Sequence, residues 1–592
     1  MESFITVVVE RHEKQASRLL EMLREIQAEY NHVSDDAIAL LATKLAIPRT
    51  QIISCIEFYS FLHRHYQGNY EILLSDSITD HMLGKQALTD YLADKLGIQP
   101  GQHNTQISLN NTSCTGLCDQ GPAALINGHA IAQLNRQKID QITALIQHET
   151  PLSQWPSSLF EIQDNIQQPG LVMKQPITAG DSLKALLQCG LEKGLAEIER
   201  SGLRGRGGAG FKTAFKWRFC AETDSTERFV VCNADEGEPG TFKDRVLLNR
   251  FADQVFEGMT LCAAIIGAKQ GFLYLRGEYL FLYPKLQNIL QQRRQQGLLG
   301  NAILGRDFAF DIEIRLGAGA YICGEESALI ESLEGKPGIP RNRPPYPVTQ
   351  GYLGQPTVVN NVETFLSAAA ILVYGADWFT ACGSKTSPGS KILSICGDCA
   401  SPGIYEYAFG VTIREILNDC GARDVLGVQV GGPSGSFISA DEFDRKLAFE
   451  DLATGGSFII FNQQRDLLDI VQNFTHFFAH ESCGFCTPCR VGTRLLQKQL
   501  DKICDGHGSA GDVAELEKLC QLVKSTSHCG LGQTAANPIL TTLQRYPERY
   551  EQRLKAIRYE PGFDLDAELE IARQLTGRDD PGAHLSQTGE SS

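Results

Sequence analysis

The 592-residue chain lacks any long apolar run, and its basic residues are in the minority. Its most apolar stretch, between Glu363 and Asp377, is shorter than the roughly 20 residues that a membrane-spanning helix needs. The first residues, MESFITVVVERHEKQ, are a poor match to a secretory signal, because charged residues interrupt the sequence before a long apolar segment can form. With 70 acidic and 54 basic residues, the net charge of −16 argues against nucleic acid or an anionic membrane as a partner. We therefore expect a cytoplasmic protein without direct membrane insertion, which reaches a membrane only through its partners.

The chain also lacks internal repeats, and its length requires more than one hydrophobic core. Changes in hydrophobic periodicity, together with a stretch rich in Pro, Ser and Gln, divide it into segments. We predict a multidomain α/β protein. Its predicted segments are helices plus a thioredoxin-like domain (1–149), a linker (150–170), a Rossmann-like α/β domain (171–387), a β-grasp module (388–463), a helical domain (464–558) and a C-terminal tail (559–592).

Cysteine is plentiful, and 18 cysteines in a large intracellular chain indicate reduced thiols or metal ligands rather than disulfides. Most of them are isolated and are typical of small core side chains. In ESCGFCTPCRVG, however, Cys483, Cys486 and Cys489 form a C-x-x-C-x-x-C, and Cys529 follows in SHCGLGQ. Three thiolates on one turn plus a remote fourth suit a [4Fe–4S] cluster, whereas zinc sites usually pair two C-x-x-C units. The CGDC motif at 396–399 has no second pair nearby, and we interpret it as a turn.

A glycine-rich loop, GLRGRGGAGF, contains the pattern G-x-G-x-x-G at Gly205, Gly207 and Gly210. A Rossmann fingerprint requires a strand before the first glycine, but the preceding segment LEKGLAEIERSGLRG is helical in pattern. The loop still suits a phosphate group, because backbone N–H groups of glycines can approach an anion closely. A helix that begins near Thr213 would direct its positive end at the same place, and Lys216 adds a fixed charge.

Three further loops carry polar side chains next to predicted strands, where open α/β sheets place their ligands. They are VVCNADEGEPGTFKD, AGAYICGEESALIESLEGKPG and PTVVNNVETF. Together with the aromatic residues Phe211, Trp217, Phe219 and Tyr321, they offer the amides, acids and stacking surfaces that FMN with a stacked nicotinamide nucleotide requires. A solvated acidic surface is the alternative interpretation of the first of these loops.

These motifs and ESCGFCTPCRVGT resemble the NADH-binding flavoprotein subunit of respiratory complex I and its relatives. The relatives include the diaphorase subunit of NAD-reducing [NiFe] hydrogenases and the β subunit of NAD-dependent formate dehydrogenases. The resemblance covers about residues 170–560. It implies exchange of a hydride between NAD(H) and FMN, and of single electrons between FMN and one [4Fe–4S] cluster held by the four cysteines named above.

The resemblance also implies the residues of each site. Those expected at FMN are Gly205, Arg206, Gly207, Gly208, Lys216, Asn233, Asp235, Glu236, Tyr321, Gly324, Glu325, Asn360, Asn361 and Thr364. Those expected at NAD(H) are Phe211, Phe219, Glu238 and Glu326, and those expected in a catalytic role are Glu236 and Glu325. An acid at the adenosine ribose would repel a 2′-phosphate, so we expect NAD rather than NADP.

The front segment resembles the thioredoxin-like [2Fe–2S] subunit of complex I, which holds its cluster with cysteines spaced C-x4-C and C-x3-C. Here Cys114 and Cys118 are present, but Ser75 and Asp80 occupy the expected positions of the other pair. Hydroxyl and carboxylate oxygens are poor ligands for iron–sulfur clusters, so we predict no cluster in this domain. Its role would then be structural, or it would dock a partner.

The fusion of both segments in one chain, the altered cluster site and the C-terminal tail favour the diaphorase subunit of a soluble NAD-reducing [NiFe] hydrogenase. The expected partners are a small iron–sulfur diaphorase subunit and a [NiFe] hydrogenase dimer, in a hetero-oligomer, since the chain has no nickel-site C-x-x-C pairs. One alternative is the NADH-dehydrogenase module of complex I or of an NAD-dependent formate dehydrogenase. Two others are a flavin-binding electron-transfer scaffold that is inactive outside its assembly and a zinc-stabilised nucleotide-binding regulator.

Overall fold

The computed structural model describes residues 1–555 and 565–579. Within these ranges the chain forms three sheets with helices packed around them, and helical regions lie before the first sheet and after the last. The predicted mixed α/β, multidomain fold class is therefore confirmed. No helix in the described part of the chain combines the length and the apolar character that crossing a membrane requires.

The chain begins with four helices that pack onto the domain of the second sheet. They are α1 (Glu2–Arg11), α2 (Leu19–Tyr30), α3 (Asp35–Leu45) and α4 (Arg49–Phe58). Their apolar faces share one core with strands of that sheet. Arg18 donates two hydrogen bonds to the Glu313 carboxylate, at 2.7 and 2.9 Å, and the Tyr59 hydroxyl donates to Ser332 at 2.7 Å. These four helices therefore pack against the domain of the second sheet, which is called the central domain below. The thioredoxin-like domain lies between them and the central domain in sequence.

The thioredoxin-like domain contains a five-stranded sheet. Its elements are β1 (Tyr70–Ser75), α5 (Ile78–Met82), α6 (Lys85–Leu96), β2 (Gln102–His103), β3 (Ile107–Thr112), β4 (Ala124–Ile126), β5 (His129–Ile131) and α7 (Arg136–Gln147). The strand order is β2-β3-β1-β4-β5, with β1 parallel to β3 and the other pairs antiparallel. Asn127 and Gly128, with φ of 47° and 78°, form the tight turn of the β4–β5 hairpin.

The central domain is built on a four-stranded parallel sheet. Its elements, with one short strand before them, are β6 (Ile166–Gln168), α8 (Asp181–Cys189), α9 (Leu191–Arg200), α10 (Thr213–Glu222), β7 (Phe229–Ala234), α11 (Lys243–Ile266), β8 (Gln270–Leu275), α12 (Tyr283–Gln295), β9 (Asp311–Leu316), α13 (Glu326–Leu333), α14 (Pro347–Gln350), β10 (Thr357–Asn361), α15 (Val362–Tyr374) and α16 (Ala376–Thr380). The strand order is β10-β7-β8-β9, and the register places Asn361 beside Asn233. Because all four strands are parallel, their carboxyl ends meet at one edge of the sheet.

The β-grasp module contributes a mixed six-stranded sheet. Its elements are β11 (Ser390–Gly397), β12 (Gly403–Ala408), α17 (Ile413–Asp419), β13 (Val425–Val430), β14 (Ser436–Ser439) and β15 (Ser457–Asn462). The strand order is β14-β13-β15-β11-β12-β6, so β6, from the segment predicted as a linker, pairs in parallel with β12 at the edge. Three residues are too few to show a strand period in the sequence, and the pairing partner is far away along the chain.

The remaining helices form the C-terminal part of the described chain. They are α18 (Leu467–Glu481), α19 (Thr487–Cys504), α20 (Ala510–Thr526), α21 (Gly530–Thr534), α22 (Asn537–Arg545), α23 (Pro547–Glu551) and α24 (Leu565–Thr576). The sequence predicts a tail over 559–592, and α24 lies within that range. The rest of the predicted tail, apart from the few residues up to 579, lies outside the described residues.

A buried ion pair joins the thioredoxin-like domain to the central domain. One guanidinium nitrogen of Arg245, in α11, lies 3.0 Å from each carboxylate oxygen of Asp119. Both side chains are at most 1% exposed. The other terminal nitrogen donates to the carbonyl of Gln163 at 3.1 Å. Because a charge removed from water is costly unless it is paired, this contact favours a single arrangement of the two domains.

Asp119→Ala would leave the Arg245 guanidinium buried without its counter-charge. We expect a cost of about 3–5 kcal/mol, seen as a lower midpoint of thermal unfolding and as faster proteolysis between the two domains. The control is Asp444→Ala, which removes the partner of the exposed Arg414 and should leave the midpoint unchanged. An unchanged midpoint for Asp119→Ala itself would contradict the role given to the pair.

Candidate active site

A cleft opens at the carboxyl edge of the parallel sheet. Its volume is about 510 Å³, within the range of about 300–1,000 Å³ typical of small-molecule sites. Loops of the central domain, the β-grasp module and the C-terminal helices all contribute to its walls. The lining residues are Gly207, Gly208, Ala209, Asn233, Asp235, Glu236, Gly237, Glu238, Thr241, Lys243, Asp244, Tyr321, Ile322, Gly324, Glu325, Asn361, Gly431, Ser434, Gly455, Ser457, Gly530, Leu531 and Thr534.

The residues predicted for FMN or NAD(H) fall into two groups. Those that line the cleft are Gly207, Gly208, Asn233, Asp235, Glu236, Glu238, Tyr321, Gly324, Glu325 and Asn361. Those outside its lining are Gly205, Arg206, Phe211, Lys216, Phe219, Glu326, Asn360 and Thr364. The lining residues from the β-grasp module and from α21 could not be predicted, because nothing in the sequence indicates that these distant segments fold over the cleft.

The glycine loop presents its backbone to the cleft. Its base is closed by a hydrogen bond from the Gly205 N–H to the Phe211 carbonyl at 2.8 Å. Gly208 has a φ of 128°, a conformation that favours glycine. A side chain added at Gly208 would meet nothing within 4 Å, so the loop borders open space there. At Gly207 an added Cβ would lie only 3.2 Å from the Cβ of Asn361. The loop therefore forms a cradle of the kind in which backbone N–H groups bind phosphate.

Three predicted FMN residues support this loop from behind. Thr364, which is fully buried, accepts a hydrogen bond from the Arg206 backbone N–H at 3.0 Å. The Arg206 side chain is itself buried, with its guanidinium 4.8 Å from the centre of the Phe409 ring. Asn360 accepts a hydrogen bond from the indole of Trp217 at 2.8 Å. In the structure these side chains position the loop and the adjoining strand instead of facing the cleft.

The predicted nucleotide residues outside the cleft lie around α10. Lys216 donates to the Glu326 carboxylate at 2.8 Å and to the carbonyl of Val359 at 3.0 Å. Phe211 and Phe219 are 50% and 48% exposed, which leaves aromatic surface free on this side of the domain. Their assignment to the adenine of NAD(H) stays a prediction.

Asp235 carries an unsatisfied oxygen in the cleft wall. Its Oδ2 is buried and has no hydrogen-bond partner in the described part of the chain. Burial raises the pKa of this carboxyl well above its ordinary value, although Arg276 opposes the shift. Asn233 fixes the loop by accepting the Asp235 N–H at 3.1 Å and donating to the Gly324 carbonyl at 2.8 Å. A buried acceptor without a donor fits a ligand that brings hydroxyl groups, as the ribityl chain of FMN does.

Glu236 turns its carboxylate to the start of α11. It accepts hydrogen bonds from the backbone N–H groups of Asp244 and Arg245, at 2.9 and 3.2 Å. The hydroxyl of Tyr279 donates a third bond at 2.9 Å. Burial and the nearby Asp244 carboxylate raise the pKa of Glu236 to about 7. This group therefore changes its protonation near neutral pH at the edge of the cleft.

Glu325, the second residue predicted in a catalytic role, also lies at a helix start. Its carboxylate accepts the backbone N–H groups of Ser327 and Ala328, both at 3.0 Å, and so caps α13. The guanidinium of Arg343 lies 3.1 Å from its other oxygen. The structure thus gives Glu325 structural partners while leaving it in the cleft lining.

Glu238 links the cleft to the β-grasp module. It accepts hydrogen bonds from the backbone N–H of Ser434 at 2.8 Å and from the hydroxyl of Ser434 at 3.0 Å. The Tyr321 hydroxyl donates to the same carboxylate. Burial raises the pKa of Glu238. A residue predicted for NAD(H) therefore also holds two domains together at the cleft.

A buried group of charges beside the glycine loop was missed. The ammonium of Lys243 lies 2.6 Å from Asp244 and 3.1 Å from Glu363. It also donates to Asn361 at 3.1 Å. Lys391 binds Glu363 from the other side, and burial lowers the pKa of Lys391 to about 7. A lysine next to an aspartate at a helix start was the only signal in the sequence, and such pairs are usually solvated.

The four predicted cluster ligands surround a second, smaller cavity. Cys483, Cys486, Cys489 and Cys529 all belong to its lining. Burial raises the pKa of Cys489 to about 12 and that of Cys529 to about 11. These thiols are thus protonated at neutral pH in the bare chain, and iron would have to displace their protons.

The arrangement of these cysteines suits a cluster better than a single zinc ion. In the described residues, no three or more His, Cys, Asp or Glu side chains are grouped so as to hold one metal ion. Ligands around a cavity, rather than around a point, are what a cubane needs, because each thiolate binds a different iron. Cys486 and Cys529 directly precede α19 and α21, and a helix start favours a negatively charged group such as a thiolate. The residues fit a [4Fe–4S] cluster.

The cleft and the cysteine cavity are neighbours. Ile322 and Leu531 belong to the walls of both. Both side chains are buried, at 3% and 5% exposure. A redox group in the cleft and a cluster among the cysteines would thus be separated by a thin apolar wall.

The front domain places its cysteines differently. The sulfur atoms of Cys114 and Cys118 are 3.2 Å apart. At the positions predicted for the other pair, Ser75 donates a hydrogen bond to Asp80 at 2.6 Å. These residues do not fit a [2Fe–2S] cluster, since two thiols face two oxygen side chains that are bonded to each other. In the CGDC motif at 396–399, the first cysteine lies in β11 and the second in the turn that follows.

Three known families match separate parts of the chain. The Nuo51 FMN-binding domain matches residues 198–370, and the NADH-ubiquinone oxidoreductase-F iron-sulfur binding region matches residues 469–553. The thioredoxin-like [2Fe-2S] ferredoxin matches residues 5–147. The NAD-reducing hydrogenase HoxS subunit alpha of Cupriavidus necator is 45% identical over 589 residues, which cover 96% of this chain and 98% of that one. The chain belongs to the family of this alpha subunit.

Other proteins are similar to this chain over part or nearly all of its length. The NADP-reducing hydrogenase subunit HndC of Solidesulfovibrio fructosivorans is 41% identical over 365 residues, or 60% of this chain and 74% of that one. A chain in a crystal structure of an NAD+-reducing [NiFe]-hydrogenase in the H2-reduced state has a TM-score of 0.89 at 43% identity, covering 97% of this chain and 98% of that one. The chain thus carries an FMN-binding domain and an iron–sulfur domain. It also carries a domain of the [2Fe-2S] ferredoxin type, in which the absence of a cluster stays a prediction.

The raised pKa of Glu236 predicts a pH-dependent effect of Glu236→Gln. The folded state binds this proton more tightly than the unfolded state, so its stabilising effect is complete below pH 4.5 and is lost as the pH rises through about 7. The amide is neutral throughout. We expect similar thermal midpoints for variant and wild type near about pH 4.5. The midpoint of the variant should become progressively higher than that of wild type as the pH rises from about 4.5 to about 7, and the difference should stay constant above that.

Thermal unfolding of the flavin-free chain across this pH range makes the measurement. The control is Glu515→Gln, which changes an exposed carboxylate inside α20 and should leave the thermal midpoint close to that of wild type over the same interval. A pH-independent difference for Glu236→Gln would show that Glu236 does not titrate near neutrality.

Proposed function

We propose that this chain is the diaphorase subunit of an NAD-reducing [NiFe] hydrogenase, in which H2 and NAD+ give NADH and H+. Its own part is to exchange electrons between NAD(H), FMN and one [4Fe–4S] cluster. The shared wall of Ile322 and Leu531, between the cleft and the four-cysteine cavity, is the observation that carries this proposal. Similarity along the whole chain to an alpha subunit of an NAD-reducing hydrogenase supports the choice of assembly.

FMN and the cluster, when bound, would supply the conversion between a two-electron hydride and single electrons. The chain would hold the FMN phosphate with the backbone of Gly207 and Gly208, near the positive Lys243. Asp235 would accept a hydrogen bond from a ribityl hydroxyl through its unpartnered oxygen. Asn361, whose side chain caps α15 and binds Asp244, would hold the loop in place.

The remaining predicted residues would serve the two nucleotides from the edges of the cleft. Glu236 and Glu325 would stand near the reacting rings while holding the starts of α11 and α13. Glu238 and Glu326 would meet the hydroxyl or amide groups of NAD(H), with its adenine between the two exposed phenylalanines of the glycine loop and α10. Two carboxylates there would disfavour the extra phosphate of NADP.

The partners would be a small iron–sulfur diaphorase subunit and a [NiFe] hydrogenase dimer, in a hetero-oligomer located in the cytoplasm. The four-cysteine cavity lies beside the half-exposed Phe485, so the cluster would be close to the surface from which electrons leave. The match of residues 198–370 and 469–553 to complex I domains keeps a complex I-like or formate dehydrogenase assembly as the second candidate.

Asp235→Ala tests the flavin site. Loss of a hydrogen bond to a carboxylate costs about 1.5–3 kcal/mol, so we expect FMN to bind about 10- to 150-fold more weakly. The flavin-free variant should unfold at a higher temperature than wild type, because an unpaired buried carboxyl has been removed. Titration of the flavin-free chain with FMN, followed by fluorescence, and thermal unfolding give both readouts.

The control for Asp235→Ala is Asp307→Ala, which removes an exposed carboxylate that is not part of the cleft lining and should change neither readout. If Asp235→Ala binds FMN with the affinity of wild type, Asp235 does not contribute to FMN binding.

The assembly is tested by purifying the tagged chain anaerobically from its native cell with its partners. We expect H2-dependent reduction of NAD+, nickel in the complex and NADH oxidation with an artificial dye. Dye-linked NADH oxidation without nickel or H2-dependent activity would retain the diaphorase chemistry and favour the second candidate. An isolated chain that binds FMN but does not oxidise NADH with the dye would favour the electron-transfer scaffold that is inactive outside its assembly.

A further inference from the structure

The thioredoxin-like domain contains two thiols in direct contact. Cys114 and Cys118 have their sulfur atoms 3.2 Å apart and are 2% and 4% exposed. They lie in the loop between β3 and β4, with Gly116 between them at a φ of 73°. Because this residue carries no side chain, the loop can bring its two ends together.

The oxygen side chains near these two thiols are already engaged in hydrogen bonds with each other and with the backbone. One carboxylate oxygen of Asp80 accepts from the hydroxyls of Ser75 and Ser77, each at 2.6 Å. The other accepts from the Ala123 backbone N–H at 3.0 Å. Asp80 is 2% exposed, so water cannot replace these partners readily. An iron atom here would have to break a satisfied buried network in order to gain two oxygen ligands, which clusters disfavour.

We propose that Cys114 and Cys118 form a reversible disulfide, so that the domain carries a two-electron thiol–disulfide couple in place of a [2Fe–2S] cluster. The bond requires the sulfur atoms to approach from 3.2 Å to about 2.05 Å. A movement of this size is within the reach of the side chains and the glycine-containing loop.

A peroxide is the class of oxidant that can reach so enclosed a pair. One thiol reduces hydrogen peroxide to water and becomes a sulfenic acid. The second thiol attacks that sulfur, which forms the S–S bond and releases a second water. In sum, two thiols and one hydrogen peroxide give one disulfide and two waters. A small dithiol reverses the step by exchange, and is itself oxidised to its cyclic disulfide.

The thiol loop is also connected to the cleft. Arg276 donates to the Cys114 carbonyl at 2.5 Å and to the Glu236 carbonyl. A side chain added at Gly116 would lie 2.3 Å from the hydroxyl of Tyr279, which in turn donates to the Glu236 carboxylate at 2.9 Å. Oxidation of the pair therefore acts on a loop that touches two neighbours of the cleft.

Peptide mapping of the full-length chain tests the disulfide directly. The tryptic peptide that spans 96–136 contains both cysteines and no others. The chain is treated with hydrogen peroxide, unfolded with N-ethylmaleimide present, and digested. We expect this peptide to be unlabelled and lighter by two hydrogens than the reduced form. After treatment with dithiothreitol it should carry two labels. Equilibration in dithiothreitol redox buffers should give a two-electron Nernst curve for the labelled fraction.

Three variants act as controls. Cys114→Ser and Cys118→Ser should each abolish the unlabelled peptide. Cys396→Ser should leave it intact, although the Cys396 thiol lies next to Cys118. A disulfide between the Cys118 and Cys396 peptides in wild type would overturn the proposed pairing.

Two other results would overturn the proposal. One is a peptide that carries two labels after every oxidising treatment in iron-free protein. The other is a wild-type chain with two irons beyond those of the [4Fe–4S] cluster, whose Cys114 and Cys118 become labelled only after iron is removed. None of these readouts depends on hydride transfer, so the proposed diaphorase function can fail without affecting them.

Discussion

The parallel pairing of β10, β7, β8 and β9 is the constraint on which the site depends. Because the strands run in one direction, the loop after β7, the end of β10 and the loop after β9 meet at one edge of the sheet. The register sets Asn233 opposite Asn361, and a shift of β10 by one residue would turn the Asn361 side chain to the opposite face of the sheet. The glycine loop then lies against the same edge through the Arg206 N–H and Thr364.

The second constraint is that charged side chains beside the cleft are buried. They are stabilised by pairing with opposite charges rather than by contact with water. Lys243, Glu363 and Lys391 form one connected group beneath the loop that we assign to phosphate. Unpaired, each of these would be costly, since removal of a charge from water outweighs most single contacts. Asp235 differs from this group, because one of its carboxylate oxygens has no partner among the described residues. A buried acceptor without a donor at the wall of a cleft is what a hydroxyl-bearing ligand would complete, as proposed above for FMN.

The two cysteine sites show how the same residue type serves different arrangements. In the C-terminal helical domain, four cysteines surround a space at the starts of α19 and α21, next to an apolar wall of the cleft. In the thioredoxin-like domain, Ser75 and Asp80 take part in a hydrogen-bond network that uses both oxygens of the Asp80 carboxylate. The Cys114 and Cys118 thiols of this domain are in contact with each other.

The sequence by itself determined the order of α/β and helical segments, the four cysteines of the cluster cavity and most of the cleft residues near strand ends, because these depend on local periodicity and short spacing. It did not reveal that β6 completes the β-grasp sheet, nor that Ser434 and Leu531 reach the cleft. It likewise gave no sign that Arg206 and Thr364 act from behind the loop or that Lys243 is buried. Only the tertiary structure decided these points, because burial and contact between segments hundreds of residues apart are set by packing, which leaves no local pattern in the chain.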